Sequence, residues 1–334
     1  MAEVAFETLY AALESTRGTA VNPPTRFLSL TGGITPKESR YRPQESRGTL
    51  AGSYRSRTTR RWSETAGNGP LDPRTMPFLL AMLINGGVTS PSTPVGATSA
   101  RLWAMPRTMT TDNLKSGSFY WGDPNVQTFR TAYNLLDELT INADAGGEDG
   151  VAIDVKGGGK FPTKTAMSSA PAQSPGPLVI PGDMQFWLDT SSAIGTTELT
   201  SNLVSASLKI PSGVSRKWGA AGTSNDLNFR KIGRGNGSPE LNITLELPDM
   251  TQYDVFADNS GDTVCKLRWR LNGPEIESGF RYYVEADIWG TLSGLSWGVL
   301  ENTNRTVSWT TTGEYDSTAA TDLVIRVQND QTTL

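Results

Sequence analysis

The segment LSLTGGITPK (residues 28–37) is matched later in the chain by LKIPSGVSRK (residues 208–217). Both segments start with leucine, have glycine in sixth place and end with lysine, and both put apolar residues in the third and seventh places. Alternating apolar residues followed by glycine are typical of a strand that ends in a turn. The match therefore predicts that one strand-and-turn unit is used twice.

Two more markers recur in the same order. A helix start at Asp72 recurs at Asp249, and the strand pattern VAIDVK (151–156) recurs as LVIRVQ (323–328). Glycine and proline number 34 and 20, a density of turn formers that favours many short strands. We therefore predict a mainly β protein of two tandem β-sandwich or barrel domains, each with one flanking α-helix. The predicted first domain is 1–165, the linker is 166–178 and the second domain is 179–334.

The strongest helix signal is LDPRTMPFLLAMLINGG (residues 71–87), in which apolar residues recur at helical spacing and two glycines follow. A weaker helix signal is LPDMTQYDVFADNSG (residues 247–261). Residues 4–15 fit either a short helix or an extended arm. The strand-like stretches are 26–31, 135–143, 151–156, 203–210, 241–247, 265–271, 281–289 and 323–327.

Composition excludes several classes of function. The chain has no histidine, which removes serine or cysteine triads and imidazole metal sites, and its single cysteine permits no internal disulfide. No apolar run approaches the length of a membrane-spanning helix, and the N-terminus lacks the basic start of a signal peptide. We expect no enzyme activity, no cofactor, no metal and no membrane association, and we expect folding in a cytoplasm.

Residues 40–61 are strongly basic and have no regular apolar face, so they predict an exposed loop or a long hairpin. Three functions fit such a segment: a solvated loop, neutralisation of nucleic-acid phosphates, or docking onto an acidic surface of another copy. The net charge of −4 does not favour general nucleic-acid binding. The candidate contact residues are Arg40, Arg42, Arg47, Arg55, Arg57, Arg60 and Arg61.

An acidic stretch at 137–154 offers a partner for the basic segment, because it contains no lysine or arginine. Its carboxylates are Asp137, Glu138, Asp144, Glu148, Asp149 and Asp154. Opposite charges on one chain suit head-to-tail association, in which one patch meets the other patch of the next copy. The turn ADAGGEDG (143–150) also resembles a calcium loop, although it lacks the alternating ligand spacing of an EF-hand.

In the order of its segments the chain resembles the major tail tube proteins of long-tailed bacteriophages. The resemblance starts at LESTRGTAVNPPTRFLSLTGG (13–33) and continues through the charged segment to the helix after LDP (71–84). It includes the strand near 135–143 ahead of the acidic turn, and it ends with LVIRVQND (323–330).

This resemblance implies a structural virion protein of the tail, assembled in the host bacterial cytoplasm, that forms stacked rings around the conduit for DNA ejection. Residues 40–61 would be the loop that contacts the next ring, and inward-facing acids would repel DNA, which passes without specific binding. The implied partners are other copies of the chain, tail-end proteins and a tape measure protein. Two tube-like domains would give a trimeric, pseudo-hexameric ring; a single one would give a hexamer.

Two other classes stay open on the residues alone. A β-rich chain with exposed loops also fits a carbohydrate-binding or adhesin-type β-sandwich of a phage or cell surface. A glycosidase with a carboxylate pair is the enzyme alternative, because 34 acids always offer candidate pairs. The nine tryptophans are scattered rather than clustered, which favours packing roles over a sugar-binding site.

Overall fold

A computed structural model describes most of the chain. The residues outside the described part are 1–6, 45–52, 54, 109, 174–175, 191, 221–225, 247–263 and 300–304. The described part is mainly β, which confirms the predicted fold class. The predicted helix at 247–261 lies outside the described residues.

The first half of the chain, where it is described, contributes nine strands. They are β1 (Thr8–Leu13), β2 (Arg26–Leu28), β3 (Thr31–Tyr41), β4 (Arg57–Pro70), β5 (Arg101–Pro106), β6 (Gly117–Asp123), β7 (Gln127–Asp144), β8 (Ala152–Gly159) and β9 (Thr163–Thr165). The ambiguous stretch at 4–15 is thus extended where it is described.

The described part of the second half contributes nine more strands and two short 3-10 turns, Pro181–Asp183 and Thr200–Asn202. The strands are β10 (Met184–Asp189), β11 (Leu203–Pro211), β12 (Val214–Lys217), β13 (Lys231–Arg234), β14 (Glu240–Glu246), β15 (Cys265–Glu277), β16 (Phe280–Val299), β17 (Arg305–Gly313) and β18 (Leu323–Asn329). Every strand-like stretch of the sequence lies within or overlaps one of the eighteen strands.

The one helix among the described residues, α1 (Met76–Leu83), confirms the first helix prediction. It begins at Met76, later than the predicted start at Asp72, and it ends at Leu83. The Asp72 side chain instead accepts a hydrogen bond from the Arg74 backbone N–H at 2.8 Å, in the turn before the helix. All eight helical residues are buried, because α1 packs against both β7 and β5. The sequence predicted one apolar face that packs against the protein, whereas α1 is buried on every side.

The strand pairing of the first half recurs in the second. In the first half β1 pairs with β6, β6 with β7, β7 with β8 and β9, β8 with β4, and β4 with β3. In the second half β10 pairs with β15, β15 with β16, β16 with β17 and β18, β17 with β14, and β14 with β11. All these pairs are antiparallel, and the long strands β7 and β16 change pairing partners along their length.

This recurrence does not coincide with the sequence markers. Leu28 lies in β2, which pairs with β1, whereas Leu208 lies in β11, which pairs with β7 and β14. By strand pairing β11 corresponds to β3, so the counterpart of Leu208 is Ile34, and both are buried. The strand at 151–156 likewise corresponds to β17 rather than to β18. The identical residues of the two decapeptides therefore do not mark equivalent positions.

The two halves share one sheet and one core. The second half of β7 pairs with β11 from Glu138↔Pro211 to Asp144↔Ser205, and β18 pairs with β5. Side chains that alternate along these strands form one apolar cluster that contains buried residues of both halves. Backbone hydrogen bonds and the common core thus hold the halves together.

A carboxylate also joins the halves. Glu277, at the tip of the β15–β16 hairpin, accepts hydrogen bonds from the backbone N–H groups of Thr98, Ser99 and Ala100 at 2.8–2.9 Å. The Thr98 hydroxyl and these amides favour the ionised form and lower the pKa of Glu277 from 4.5 to about 2.

A Glu277→Gln substitution is expected to lower thermal stability at neutral pH, and the difference from the parent protein should disappear on acidification. Because the folded-state pKa is depressed, the carboxylate stabilises the protein above pH 4.5, and this contribution is lost as the pH falls from 4.5 towards 2. Melting temperatures of the two proteins at pH 7, 4 and 2.5 test this. A difference that stays constant across this range would contradict the role of the charge.

A buried carboxylate fixes the start of the chain. Glu14 is 3% exposed, and it accepts hydrogen bonds from the backbone N–H groups of Gly18 at 2.7 Å and Tyr133 at 2.9 Å. The hydroxyl groups of Ser116 and Ser118 donate two more, at 2.6 and 2.9 Å. Gly18 has a φ of 81°, which favours glycine. This network explains the spacing of glutamate and glycine in LESTRG.

Candidate functional site: a polar sheet face and an arginine hairpin

The basic segment is a long hairpin, as one of the two predicted alternatives proposed. β3 and β4 pair from Thr31↔Asn68 to Tyr41↔Arg57, whereas β4 loses its other partner, β8, at Ser63↔Gly159. About six residues of each strand therefore project beyond the sheet, a length of about 20 Å. The tip, including Arg47, lies outside the described residues.

The described arginines divide into two groups. Arg40, Arg42, Arg55 and Arg57 are exposed on the projecting part, and Arg40 contacts Glu38. Arg60 and Arg61 lie at the root of the hairpin, where their guanidinium groups stand 5.1 Å from the rings of Trp218 and Phe161. The structure thus brings the described arginines onto one hairpin and places Arg60 and Arg61 against aromatic rings of the same chain.

A continuous polar face runs across eight strands in the order β3, β4, β8, β7, β11, β14, β17 and β16. Alternate residues point away from the apolar core, and on this face they are mostly serine, threonine and asparagine. The charged residues on it are six carboxylates and three lysines: Glu64, Glu138, Asp144, Asp154, Glu240, Glu246, Lys37, Lys156 and Lys209.

Each lysine of this face contacts a carboxylate. Lys37 lies 3.1 Å from Glu64, and Lys156 and Lys209 lie 2.9 and 3.3 Å from the two oxygens of Glu138. The hydrogen bond from Lys156 is the main cause that lowers the pKa of Glu138, and the same contact raises the pKa of Lys156. The face is therefore acidic in sum, and its cations are engaged with neighbouring carboxylates.

The predicted acidic residues do not form a single patch. Glu138, Asp144 and Asp154 lie on the polar face, where Asn68 donates a hydrogen bond of 2.7 Å to Asp154. Asp137 sits at a bulge of β7 and contacts Arg216 at 3.0 Å, and burial raises the pKa of its carboxyl group.

Glu148 and Asp149 lie in the exposed turn between β7 and β8. Asp144 accepts a hydrogen bond of 2.9 Å from the Gly146 N–H and so tightens this turn. Among the described residues, no group of three or more His, Cys, Asp or Glu side chains is placed to hold a metal ion.

The hairpin and the acidic turn lie at opposite ends of the sheet. β4 pairs with β8 from Ser63↔Gly159 beside the hairpin to Pro70↔Ala152 beside the turn. Eight paired residues separate the two features by about 23 Å along the strands. A basic projection therefore leaves one end of the sheet, and an acidic turn closes the other.

The second half contributes residues that the sequence analysis did not identify as functional. Glu240 and Glu246 add charge to the polar face, and Trp218 packs on the root of the hairpin. The alternation of LNITLEL (241–247) and VSWTTTG (307–313) is the signal for a polar face in the second half. Trp218 has no such signal, because its partners lie far away in sequence.

These features define a structural β protein with extended contact surfaces. A family model for phage tail tube protein matches residues 7–287, which include most of both halves. The chain therefore belongs to the phage tail tube protein family and is a structural component of the virion tail. A search of curated proteins found no match. No described helix has the length and apolar character required to cross a membrane.

Proposed function

We propose that this chain forms rings that stack into the phage tail tube, with the polar sheet face turned towards the DNA that leaves the capsid. The recurring strand pairing carries the proposal, because two equivalent arrangements of strands suit two tube-like domains in tandem. The proposed division is 1–165, a linker at 166–178, and 179–334. A ring of six equivalent domains then needs three chains.

The contact between the halves supplies a pattern for the contact between chains. Within the chain, β11 of the second half completes the sheet beside β7 of the first. By strand pairing, β3 corresponds to β11, and the last part of β16 corresponds to the second half of β7. In the described residues β3 pairs there with β4, and the last part of β16 pairs with β17. An exposed edge is a template for another strand. Pairing β16 of one chain with β3 of the next would close a ring.

Trp297 supports this arrangement. It lies on the core-side face of β16 at 49% exposure, whereas the corresponding Ile141 of β7 is 1% exposed because Leu208 of β11 lies opposite it. Carried over to the chain-to-chain contact, this register places Trp297 opposite Ile34 of the next copy. The large apolar side chain would then be covered, as its counterpart is.

The charge of the polar face suits a DNA conduit. In the closed ring each chain presents six carboxylates and three lysines, and each lysine contacts a carboxylate. Phosphate binding needs protein cations that replace the counterions condensed on the DNA, and these lysines are already engaged with carboxylates. A predominantly acidic wall repels the DNA backbone, so the DNA slides without adhering.

Rings would stack through the two ends of the sheet. The arginine hairpin leaves one end, and the acidic turn with Glu148 and Asp149 closes the other, so each ring presents a basic rim and an acidic rim. Head-to-tail contact then repeats without limit, as a tube requires. Other copies are the main partners; tail-end proteins and a tape measure protein would meet the ends and the conduit, after assembly in the host bacterial cytoplasm.

Cysteine cross-linking tests both the register and the number of chains. The register places Ser296 opposite Thr35 of the next chain, where Cβ atoms about 5 Å apart permit a disulfide. A Thr35→Cys, Ser296→Cys protein, oxidised as assembled rings, should give covalent trimers on a non-reducing gel. Native Cys265 is fully buried and should not react.

The matched control is Thr31→Cys with Ser296→Cys, which sets the cysteines four residues out of register. Equal cross-linking of both pairs, or none of either, would contradict the proposed edge contact. A ladder that continues to six chains would support the edge contact but reject the three-chain ring.

A further inference from the structure

An aromatic cluster lies at the root of the arginine hairpin. The rings of Trp62 and Trp218 meet edge to face at a centroid distance of 5.9 Å, and Trp218 in turn contacts Phe229 at 6.3 Å. Phe229 is fully buried and lies 5.1 Å from the Tyr133 ring. The guanidinium group of Arg60 stands over Trp218. The cluster joins β4 of the first domain to the second domain.

The second-domain part of the cluster belongs to a small separate sheet. β12 and β13 pair only with each other among the described strands; Trp218 directly follows β12, and Phe229 lies two residues before β13. The backbone N–H of Arg61 donates a hydrogen bond of 3.0 Å to the carbonyl of Leu227. Arg216 anchors this sheet to the first domain through Asp137 and the Gly158 carbonyl, both at 3.0 Å.

We propose that Trp218 is a positioning residue for the arginine hairpin: with Arg60 and Trp62 it forms a clasp that fixes the direction in which the hairpin leaves the sheet. The inference rests on the proposed stacking function and adds a role for the second domain in it. The second domain thereby orients the contact arm of the first.

The need for a clasp follows from the geometry of the hairpin. A two-stranded hairpin without a third strand or a packing partner is only marginally stable in water. Beyond Ser63 the hairpin has lost β8, and most of the described residues between there and the tip are exposed. The clasp lies within three residues of this point, so a small rotation there would displace arginines about 15–20 Å further out by several ångströms.

The clasp also separates the arginines by role. A cation over an indole face is held more firmly as it loses water, and Trp218 is half-buried. Arg60 is exposed like Arg40, Arg42 and Arg57, but its guanidinium group stands 5.1 Å from the Trp218 ring and so has an aromatic partner within the chain. Substitution of Arg60 should act through the orientation of the hairpin, and substitution of Arg57 through the contact itself.

The test uses the full chain with Trp218→Leu, which keeps an apolar side chain but removes the π face, and Trp218→Phe, which retains a π face. We expect both variants to form rings by electron microscopy. The Trp218→Leu protein should need an at least about five-fold higher concentration to form tubes, while Trp218→Phe stays near the parent value. Hydrogen exchange at amides 57–62 of isolated rings should accelerate in the leucine variant only.

If Trp218→Leu does not fold, the clasp is tested at Arg60, which is exposed. Arg60→Gln removes the cation over the indole ring, and Arg60→Lys is the control that keeps a cation there. Normal tube formation and unchanged hydrogen exchange by Trp218→Leu, or by Arg60→Gln, would overturn the clasp. If a variant with Arg42→Ser and Arg57→Ser also forms normal tubes, stacking through the hairpin itself is wrong. If only that variant fails to stack, stacking stands and the clasp alone is rejected.

Discussion

Replacing Glu14 by glutamine is expected to lower the free energy of unfolding by about 3 kcal/mol, because a buried carboxylate loses its charge and part of its hydrogen bonding. Glu14 is 3% exposed and accepts hydrogen bonds from two backbone N–H groups and two hydroxyl groups. Hydrogen bonds to a charged group each contribute about 1.5–3 kcal/mol.

Glutamine has nearly the same shape, so the loss would not arise from a cavity. The side-chain NH₂ group of glutamine is a donor and cannot accept a hydrogen bond. It would therefore face at least one donor group that now bonds to a carboxylate oxygen of Glu14. The backbone N–H of Tyr133 cannot turn away, because it is fixed in β7 at a residue with a φ of 55°. The substitution therefore leaves a buried donor without an acceptor.

Thermal unfolding measures the effect. For a chain of this length that melts as one unit, a loss of 3 kcal/mol lowers the melting temperature by about 4 °C. Glu7→Gln is the matched control, since Glu7 is exposed and the chemical change is the same. A Glu14→Gln protein as stable as this control would show that the network does not hold the N-terminal segment.

Local sequence predicted the elements of the fold more successfully than their arrangement. The helix after LDP and the eight strand-like stretches are predicted from the spacing of residues within about ten positions. The structure has a helix or a strand at each of them, within the residues it describes. Which strands pair depends on contacts between distant segments. The similar decapeptides at 28–37 and 208–217 therefore suggested a duplication but misplaced the equivalent residues, because alternating apolar residues resemble each other in any strand.

The candidate site divides in the same way. A cluster of arginines is visible in the sequence, and so is the acidic turn, since each lies in one short segment. The clasp at Trp218 and the polar face of the second half are not, because they require knowledge of which strands are neighbours. Arg60 and Arg57 are alike in sequence, and only the ring of Trp218 distinguishes their roles.

Reversing the charge of either rim should block stacking while leaving rings intact. One variant carries Arg42→Glu and Arg57→Glu on the hairpin, and the other carries Glu148→Lys and Asp149→Lys on the turn. Each places like charges at the contact between rings, which costs several kcal/mol and should raise the concentration needed for tubes at least about a hundredfold. Sedimentation and electron microscopy of the purified chains measure both states.

Mixing the two variants provides the decisive comparison. The acidic hairpin of the first fits the basic turn of the second, and the basic hairpin of the second fits the acidic turn of the first, so alternating rings should form tubes although neither protein does so alone. A chain with all four substitutions should also polymerise. Lys164→Glu, on the exposed strand β9, controls for a charge reversal outside the hairpin and the turn and should have no effect. A head-to-tail contact of opposite charges requires that the mixture form tubes. If the mixture stays as rings, the hairpin docks elsewhere than on the acidic turn.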